Sequence, residues 1–262
     1  MLIKENAMKV ALIGSGNVAT VLGKVIHNAG HEIIQVLSRN PETAHALATI
    51  FRCESGGLKS QLNTEADLYL LAITDTALYH FDQQMNFDNQ VVVHTAGSVS
   101  KEVLKNVSSR YGIIYPLQSL IKDSIEIPEI PLMVDGNSVE TTNLIREFAS
   151  TISCNVTVAH DEERIKYHVA AVLVSNFTNH LFAMADDFCQ KENIDFRKLL
   201  PLIQETTARI KDHDPQSVQT GPAIREDIYT LGKHLQVLSA HQDLKYLYLK
   251  LSESILKLYQ KK

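Results

Sequence analysis

Residues 9–19 of the chain read KVALIGSGNVA, and this stretch decides the fold. An apolar run typical of a buried strand is followed by a glycine-rich bend and then by a helical pattern. Gly14 permits the tight turn, Gly16 lets the backbone approach a diphosphate, and the small Ala19 allows close packing of helix on strand. The helix N-terminus would face the negative charge. We therefore predict dinucleotide binding through Gly14, Ser15, Gly16, Asn17, Val18 and Ala19; the alternative is a turn that serves the fold alone.

The end of the second predicted strand indicates which dinucleotide is bound. An acidic residue that grips the adenosine ribose is expected about 20 residues beyond the glycine turn, but the sequence there reads Ser38, Arg39, Asn40. A carboxylate would repel a 2′-phosphate, whereas a guanidinium and two small polar side chains would bind it, so NADP is favoured over NAD. The alternative is that Arg39 is a solvated surface residue and that Asn40 only caps the helix begun by Pro41.

The segments beyond this stretch define the architecture. Up to about residue 158, β-rich apolar runs alternate with helical stretches, as in a parallel sheet with crossover helices. After residue 160 only helical periodicity remains. The sequence predicts an α/β fold: an N-terminal Rossmann domain over residues 1–160 and an all-helical C-terminal domain over residues 161–262. Strands are expected at 9–13, 33–37, 68–73, 91–94, 112–115, 132–134 and 156–158, and helices at 17–28, from 41, and at 138–150, 162–192, 196–211, 223–238 and 242–259.

Two further strand ends are expected to complete the cofactor crevice. Ligands of open α/β sheets lie at the carboxyl ends of the strands, where this sequence has Ile73 and Thr74 after one strand and Thr95, Ala96 and Gly97 after the next. Gly97 would keep the backbone close to the nicotinamide or the substrate, although a simple turn requirement also explains a glycine. Asp75 is interpreted as a helix cap.

Composition excludes several classes of function. The 262 residues are 45% hydrophobic and carry a net charge of −5, a balance that attracts neither nucleic acid nor an anionic membrane. The three cysteines are far apart, so neither a zinc site nor a redox dithiol is predicted, and the reducing cytosol is the expected compartment. Residues 1–7 are interpreted as a short leader. A small soluble substrate is the expected partner.

The helix predicted over residues 162–192 is apolar nearly all round from Val169 onward, so it is expected to be buried. At about 100° per residue, His168, Ser175 and Asn179 share one face with Asn176 beside them. Buried polar groups need partners, which could be neighbouring helices, a second copy of the chain or a ligand. If the site is catalytic, His168 is the best general acid, with Asn176 as its companion; a satisfied core or interface histidine is the alternative.

The remaining substrate-site candidates come from three places. Gly221 and Pro222 suit a helix entrance, and Arg225 would then lie in the first helical turn. A cation there opposes the helix dipole, which points to an anionic partner: a substrate carboxylate, or Glu226 and Asp227. The predicted substrate contacts are Ser98, Gln118, Asn179, Gly221 and Arg225, and Tyr115 could also reach the pocket from the sheet.

The segments GSGNVA, LAITDTAL, VVVHTAGSVS, YPLQSL, HVAAVLVSNFTNHL and QTGPAIREDIYTLGKHL together resemble the Rossmann-like NADP oxidoreductases with a helical C-terminal domain of unknown function. The resemblance spans nearly the whole chain. It implies distant kinship with deazaflavin-dependent NADP oxidoreductase, pyrroline-5-carboxylate reductase and ketopantoate reductase. The last of these places a lysine four residues before an asparagine, whereas here Lys166 precedes Ala170.

These observations combine into one functional hypothesis. We expect hydride transfer between NADPH and a small carbonyl or imine substrate in the cleft between the domains, with a homodimer built through the C-terminal domain. The rival hypothesis is a non-catalytic NADP(H)-binding sensor, in which the cofactor residues still work and the polar stripe around His168 is only an interface.

Overall fold

The computed structural model describes residues 7–81, 85, 87 and 89–259. Most of the predicted leader therefore lies outside the described residues. The chain forms two compact units, with the division between Ser175 and Asn176. The change from strands to helices falls at residue 161, as the sequence pattern indicates, but the first helix after it packs with the sheet unit.

The first unit is built on an eight-stranded sheet with strand order β3-β2-β1-β4-β5-β6-β7-β8. Neighbouring strands are parallel except β6 and β7, which are antiparallel. The strands are β1 (Lys9–Ile13), β2 (Glu32–Ser38), β3 (Glu54–Gly57), β4 (Leu68–Leu71), β5 (Val91–His94), β6 (Arg110–Pro116), β7 (Leu132–Gly136) and β8 (Val156–Val158). All seven predicted strands are present. Strand β3 was not predicted, because its residues ESGG have no apolar side chain.

Helices cover both faces of this sheet. In β1, Val10 and Leu12 belong to one hydrophobic core and Ala11 and Ile13 to the other, so both faces are buried, as is typical of parallel sheets. The helices of this unit are α1 (Asn17–Asn28), α2 (Pro41–Phe51), α3 (Asp75–Leu78), α4 (Val139–Ile152) and α5 (Asp161–Ala171). As predicted, Asn40 caps α2, and its side chain accepts a hydrogen bond from the Glu42 amide.

The strand order places a binding crevice beside β1. After β1 the chain moves to β2 on one side, and it later returns to β4 on the other. The crossover helices therefore diverge at the carboxyl end of β1, which is the topological switch point where open α/β sheets bind ligands. The carboxyl ends of β2, β4, β5 and β6 lie along the same edge, because these strands are all parallel to β1.

One predicted helix is interrupted. Residues 162–192 form α5, then a π-helix over Val172–Phe177, then α6 (Thr178–Lys191). A π-helix has i→i+5 hydrogen bonds, so a step of 100° per residue does not hold through this segment and the predicted polar stripe loses its basis. The expected burial is also wrong within the single chain, where Val174 is 73% exposed and Phe177 is 53% exposed.

The second unit is helical. Besides α6 it contains a 3₁₀ turn at Phe196–Leu199 capped by Asp195, then α7 (Leu200–Arg209), α8 (Ile228–Val237), a 3₁₀ turn at Leu238–Ala240 and α9 (Gln242–Tyr259). None of the helices in the described part of the chain combines the length and apolar character needed to cross a membrane.

The helix predicted at residues 223–238 begins later than expected. Glu226 has a left-handed backbone with φ of 54°, which a continuous α-helix excludes. Asp227 then caps α8, with its side chain accepting a hydrogen bond of 3.0 Å from the Thr230 amide. Arg225 therefore lies in turns before the helix, and the argument from an unfavourable helix dipole does not apply to it.

Candidate functional site

A cavity of about 360 Å³ lies at the carboxyl ends of β1, β2 and β4. It joins residues that are far apart in the sequence but were predicted to bind one cofactor. The predicted residues among its walls are Gly14, Ser15, Gly16, Ser38, Arg39, Ile73 and Thr74. Leu58, Ala72, Ala77, His80 and Phe81 complete the lining and give it an apolar side.

The glycine turn has the geometry that a diphosphate site requires. Gly14 has φ of 125°, and a Cβ atom there would lie 2.2 Å from the Ala72 carbonyl oxygen, so only glycine fits. A Cβ atom on Gly16 would meet nothing within 4 Å, so it would fill space at the cavity wall. Helix α1 starts immediately after this glycine and has no acidic residue in its first turn, which leaves its positive end free for an anion.

The other residues of the turn contribute differently. Ala19 is fully buried and Val18 packs against the core, so any contact they make to a ligand would come from their backbone. Asn17 is exposed, and its side-chain oxygen accepts a hydrogen bond of 3.3 Å from the Lys122 amide. Because Ala19 is fully buried, the close packing of helix on strand that was expected there is present.

A cluster of hydroxyl groups lies beside Arg39. The Ser15 hydroxyl is 2.9 Å from that of Ser38 and 2.7 Å from that of Thr43. Thr43 was not among the predicted residues, although its place three residues after the cap Asn40 puts it in the first turn of α2. The Thr43 hydroxyl also donates to the Asn40 carbonyl at 2.9 Å. The exposed guanidinium of Arg39 is therefore the charged donor of this polar cluster, which is suited to a phosphate group.

The loops after β4 and β5 are joined to each other. The Ser98 hydroxyl donates a short hydrogen bond to the carboxylate of Asp75, which is the first residue of α3 rather than its cap; Thr74 holds the cap position. Thr95 and Ala96 are buried, and the Thr95 amide donates to the Leu71 carbonyl. These contacts fix the loop over residues 95–100 at the edge of the crevice.

His94, at the end of β5, is a structural histidine. Its Nδ1 accepts a hydrogen bond from the Ala96 amide, and its Nε2 lies 3.3 Å from the Ser100 carbonyl oxygen. Burial, together with the nearby Arg164 charge, lowers the pKa of His94 to about 4. The ring is therefore neutral at physiological pH, with its proton on Nε2.

Gly97 provides the surface on which Tyr115 and His168 meet. A Cβ atom on Gly97 would lie 2.7 Å from His168 Nδ1 and 2.8 Å from the Tyr115 ring. The Tyr115 hydroxyl is 2.9 Å from His168 Nδ1. Burial raises the pKa of Tyr115 against the opposing effect of Arg164, so the hydroxyl keeps its proton. It can donate to Nδ1 when that atom carries no proton and accept from Nδ1 when it does.

The other predicted substrate residues are not gathered around this pair in the first unit. Gln118 uses its side chain within its own loop, donating to the Glu129 carbonyl and accepting from the Ser119 amide. Asn176, Asn179, Gly221 and Arg225 belong to the second unit, where Asn179 lines a separate open groove with Phe182 and Asp186. Hydrogen bonds with Thr230, with a smaller effect of the Arg225 charge, lower the pKa of Asp227. Their roles toward a substrate stay predictions.

A mostly parallel sheet with its switch point at a glycine turn, an open helix end and a neighbouring basic group defines a Rossmann-type nucleotide-binding protein. Residues 9–97 match the family described as NADP oxidoreductase, coenzyme F420-dependent, and residues 130–255 match the domain of unknown function DUF2520. The chain belongs to the NADP oxidoreductase family in which these two domains are joined.

Solved structures agree with this assignment. A Bacteroides fragilis protein, provisionally assigned as an NADP oxidoreductase, is 36% identical over 96% of this chain and 98% of its own, with a TM-score of 0.89. The fold is shared with 1-pyrroline-5-carboxylate reductase from Streptococcus pyogenes (16% identity, 97% and 100% coverage, TM-score 0.63). It is also shared with an Aspergillus terreus reductive aminase (14%, 98% and 95%, TM-score 0.65). The search of curated proteins finds no match.

Proposed function

We propose that the protein is an NADPH-dependent reductase of a small carbonyl or imine substrate. The observation that carries the proposal is the cavity that joins the glycine turn to Ser38 and Arg39 at the switch point of the sheet. Two solved relatives of the same fold support the reaction class, because one is named a pyrroline-5-carboxylate reductase and the other is a reductive aminase in complex with NADPH.

The residues of the cavity fit a phosphorylated dinucleotide. The open space at Gly16 and the start of α1 would receive the diphosphate, and the loop over residues 95–100 would lie along the nicotinamide half. Arg39, with the hydroxyls of Ser38 and Thr43, would hold the 2′-phosphate that distinguishes NADP from NAD. When bound, the reduced nicotinamide supplies a hydride.

His168 and Tyr115 would supply the proton that the reduced oxygen or nitrogen needs. The Tyr115 hydroxyl lies 2.9 Å from Nδ1, and its oxygen can accept a hydrogen bond from that atom when the ring is protonated. The imidazolium form of His168 would be the general acid: it would give its Nε2 proton to the substrate and keep the Nδ1 proton, so that the ring becomes neutral. Tyr115 orients the ring, and Gly97 keeps both rings against the loop after β5.

Cofactor choice is tested by titrating NADPH and NADH against wild type and Arg39→Asp, with Arg146→Asp, an exposed arginine of α4, as the matched control. Charge-assisted hydrogen bonds contribute about 1.5–3 kcal/mol, so wild type should bind NADPH at least about tenfold more tightly than NADH. Arg39→Asp should lose this preference, and the control should keep it. Equal affinity of wild type for both nucleotides would contradict the assignment to NADP.

Catalysis is tested after a screen of carbonyl and imine compounds with NADPH. His168→Ala should lower kcat by about 10²–10⁴-fold and leave the Kd for NADPH unchanged. Tyr115→Phe should cause a smaller loss of kcat. The control His27→Ala, near the C-terminal end of α1 and away from the glycine turn, should cause none. If wild type binds NADPH but reduces nothing in the screen, the sensor hypothesis is favoured. Unchanged kcat in His168→Ala would remove this residue from the mechanism.

We also propose a cytosolic homodimer assembled through the helical unit. Large apolar side chains such as Leu202, Tyr246 and Ile228 are 61%, 65% and 79% exposed in the single chain, and exposed apolar groups of this kind mark interaction surfaces. The three cysteines are free thiols, in keeping with a reducing compartment. Light scattering coupled to gel filtration should give twice the 29.3 kDa chain mass; the mass of a single chain would contradict the dimer.

A further inference from the structure

Arg164 of α5 is a buried cation that binds the loop following β5. The residue is 1% exposed. Its Nε donates to the Gly97 carbonyl at 3.2 Å, and its Nη2 donates to the Val99 carbonyl at 2.6 Å and to the Asp161 carboxylate at 2.8 Å. One planar guanidinium therefore holds two carbonyls on alternate residues of the loop, across 65 and 67 positions of sequence.

Helix stability does not explain this residue. A cation near the N-terminal end of a helix is unfavourable, and burying a charge is costly even when it is paired. Within the described residues, the buried Nη1 atom has no hydrogen-bond partner, which adds to that cost. A buried charge that opposes the helix dipole and leaves a donor unpaired reduces stability, and such residues are typical of functional positions.

The loop that Arg164 holds is central to the site. It carries Gly97, which packs against Tyr115 and His168, and Ser98, which binds Asp75 at the start of α3. If the adenosine half of the cofactor lies with Arg39 at β2 and the diphosphate lies at β1, the nicotinamide half extends to the opposite side, toward β4 and β5. The loop over residues 95–100 would then line the site of the nicotinamide half.

We propose that Arg164 is a positioning residue for the nicotinamide half of the cofactor: by fixing the Gly97 and Val99 carbonyls it holds the loop over residues 95–100 in its receiving conformation. The inference rests on the proposed function. Asp161 completes the arrangement, because it pairs with the guanidinium from the first turn of the same helix. Burial alone would raise the pKa of Asp161, but hydrogen bonds from Ser100 and Arg164 outweigh it and keep the carboxyl ionised.

The experiment compares two ligands on Arg164→Met, Arg164→Lys and the control Arg146→Met, whose arginine is exposed on α4. NADPH occupies both halves of the site, and adenosine 2′,5′-bisphosphate occupies only the adenosine half. Arg164→Met should bind the bisphosphate as wild type does and NADPH about tenfold or more weakly, with a smaller change in nicotinamide fluorescence. Arg164→Lys keeps the charge but cannot donate to both carbonyls in the same plane, so it should show the same selective loss. The control should match wild type for both ligands.

Three results would overturn this inference and leave the proposed function standing. The first is wild-type affinity for NADPH in both Arg164 variants, and the second is an equal loss of affinity for both ligands, which a general disturbance of the fold produces. Full recovery in Arg164→Lys would also overturn it, because charge rather than the double hydrogen bond would then be sufficient. If Arg164→Met does not fold, the ratio of the affinity for NADPH to the affinity for the bisphosphate is measured on Arg164→Lys and Asp161→Asn instead. Failure of wild type to bind NADPH would instead overturn the proposed function, and this inference with it.

Discussion

Replacing Gly97 by alanine tests the part of the site that long-range packing created. The added Cβ atom would lie 2.7 Å from His168 Nδ1 and 2.8 Å from the Tyr115 ring, whereas ordinary contacts begin at 3.4 Å. Both rings must therefore move by about 0.6–0.7 Å, which stretches their 2.9 Å hydrogen bond. Gly97 does not have a positive φ, so the effect comes from packing alone.

The expected cost follows from this overlap. Overpacking of this size destabilises a core by about 1–3 kcal/mol, and a chain of this length loses about 2–4 °C in Tm for each kcal/mol. Differential scanning calorimetry should therefore show Gly97→Ala melting about 2–12 °C below wild type. The matched control is Gly232→Ala in α8, where a Cβ atom meets nothing within 4 Å, so its Tm should not fall. A Tm for Gly97→Ala equal to wild type, with the hydroxyl–imidazole contact intact in its crystal structure, would refute the reasoning.

Three other predictions address separate features. Gly16→Ala should leave the Tm unchanged, since its Cβ atom meets nothing, but it should weaken NADPH binding about tenfold by titration; wild-type affinity would contradict the diphosphate site. The pKa of His94 is about 4 in the folded protein and 6.5 in the unfolded chain. Its contribution of roughly 3 kcal/mol to the free energy of unfolding is therefore present above pH 6.5 and is lost as the pH falls toward 4. Urea midpoints of His94→Gln should fall less steeply over that range than those of wild type; parallel slopes would disprove the shift. Burial raises the pKa of the Cys53 thiol to about 11. Iodoacetamide at pH 8 should therefore label the exposed Cys154 before Cys53, as measured by peptide mass spectrometry; labelling of Cys53 first would contradict the raised pKa.

Sequence alone was sufficient where short-range rules act. The glycine turn, the start of α1, the cap at Asn40 and seven of the eight strands all follow from residues that are close together in the sequence. The topology of the sheet also places Ser38 and Arg39 at the cavity, because the end of the second strand of such a sheet lies at its switch point. Most of the cavity wall was therefore predictable.

Tertiary structure decided the features that depend on distant partners. Strand β3, with its residues ESGG, has no pattern of its own and is paired only because β2 offers it an edge. The π-helix changes the face on which residues after Val172 lie, and the hydrophobic periodicity of the sequence does not reveal a π-helix. The contacts of His168 with Tyr115 and of Arg164 with Gly97 join positions 53 and 67 residues apart. Such pairings cannot be read from the chain because the residue types admit many partners, and only the packing of α5 against the sheet edge selects among them.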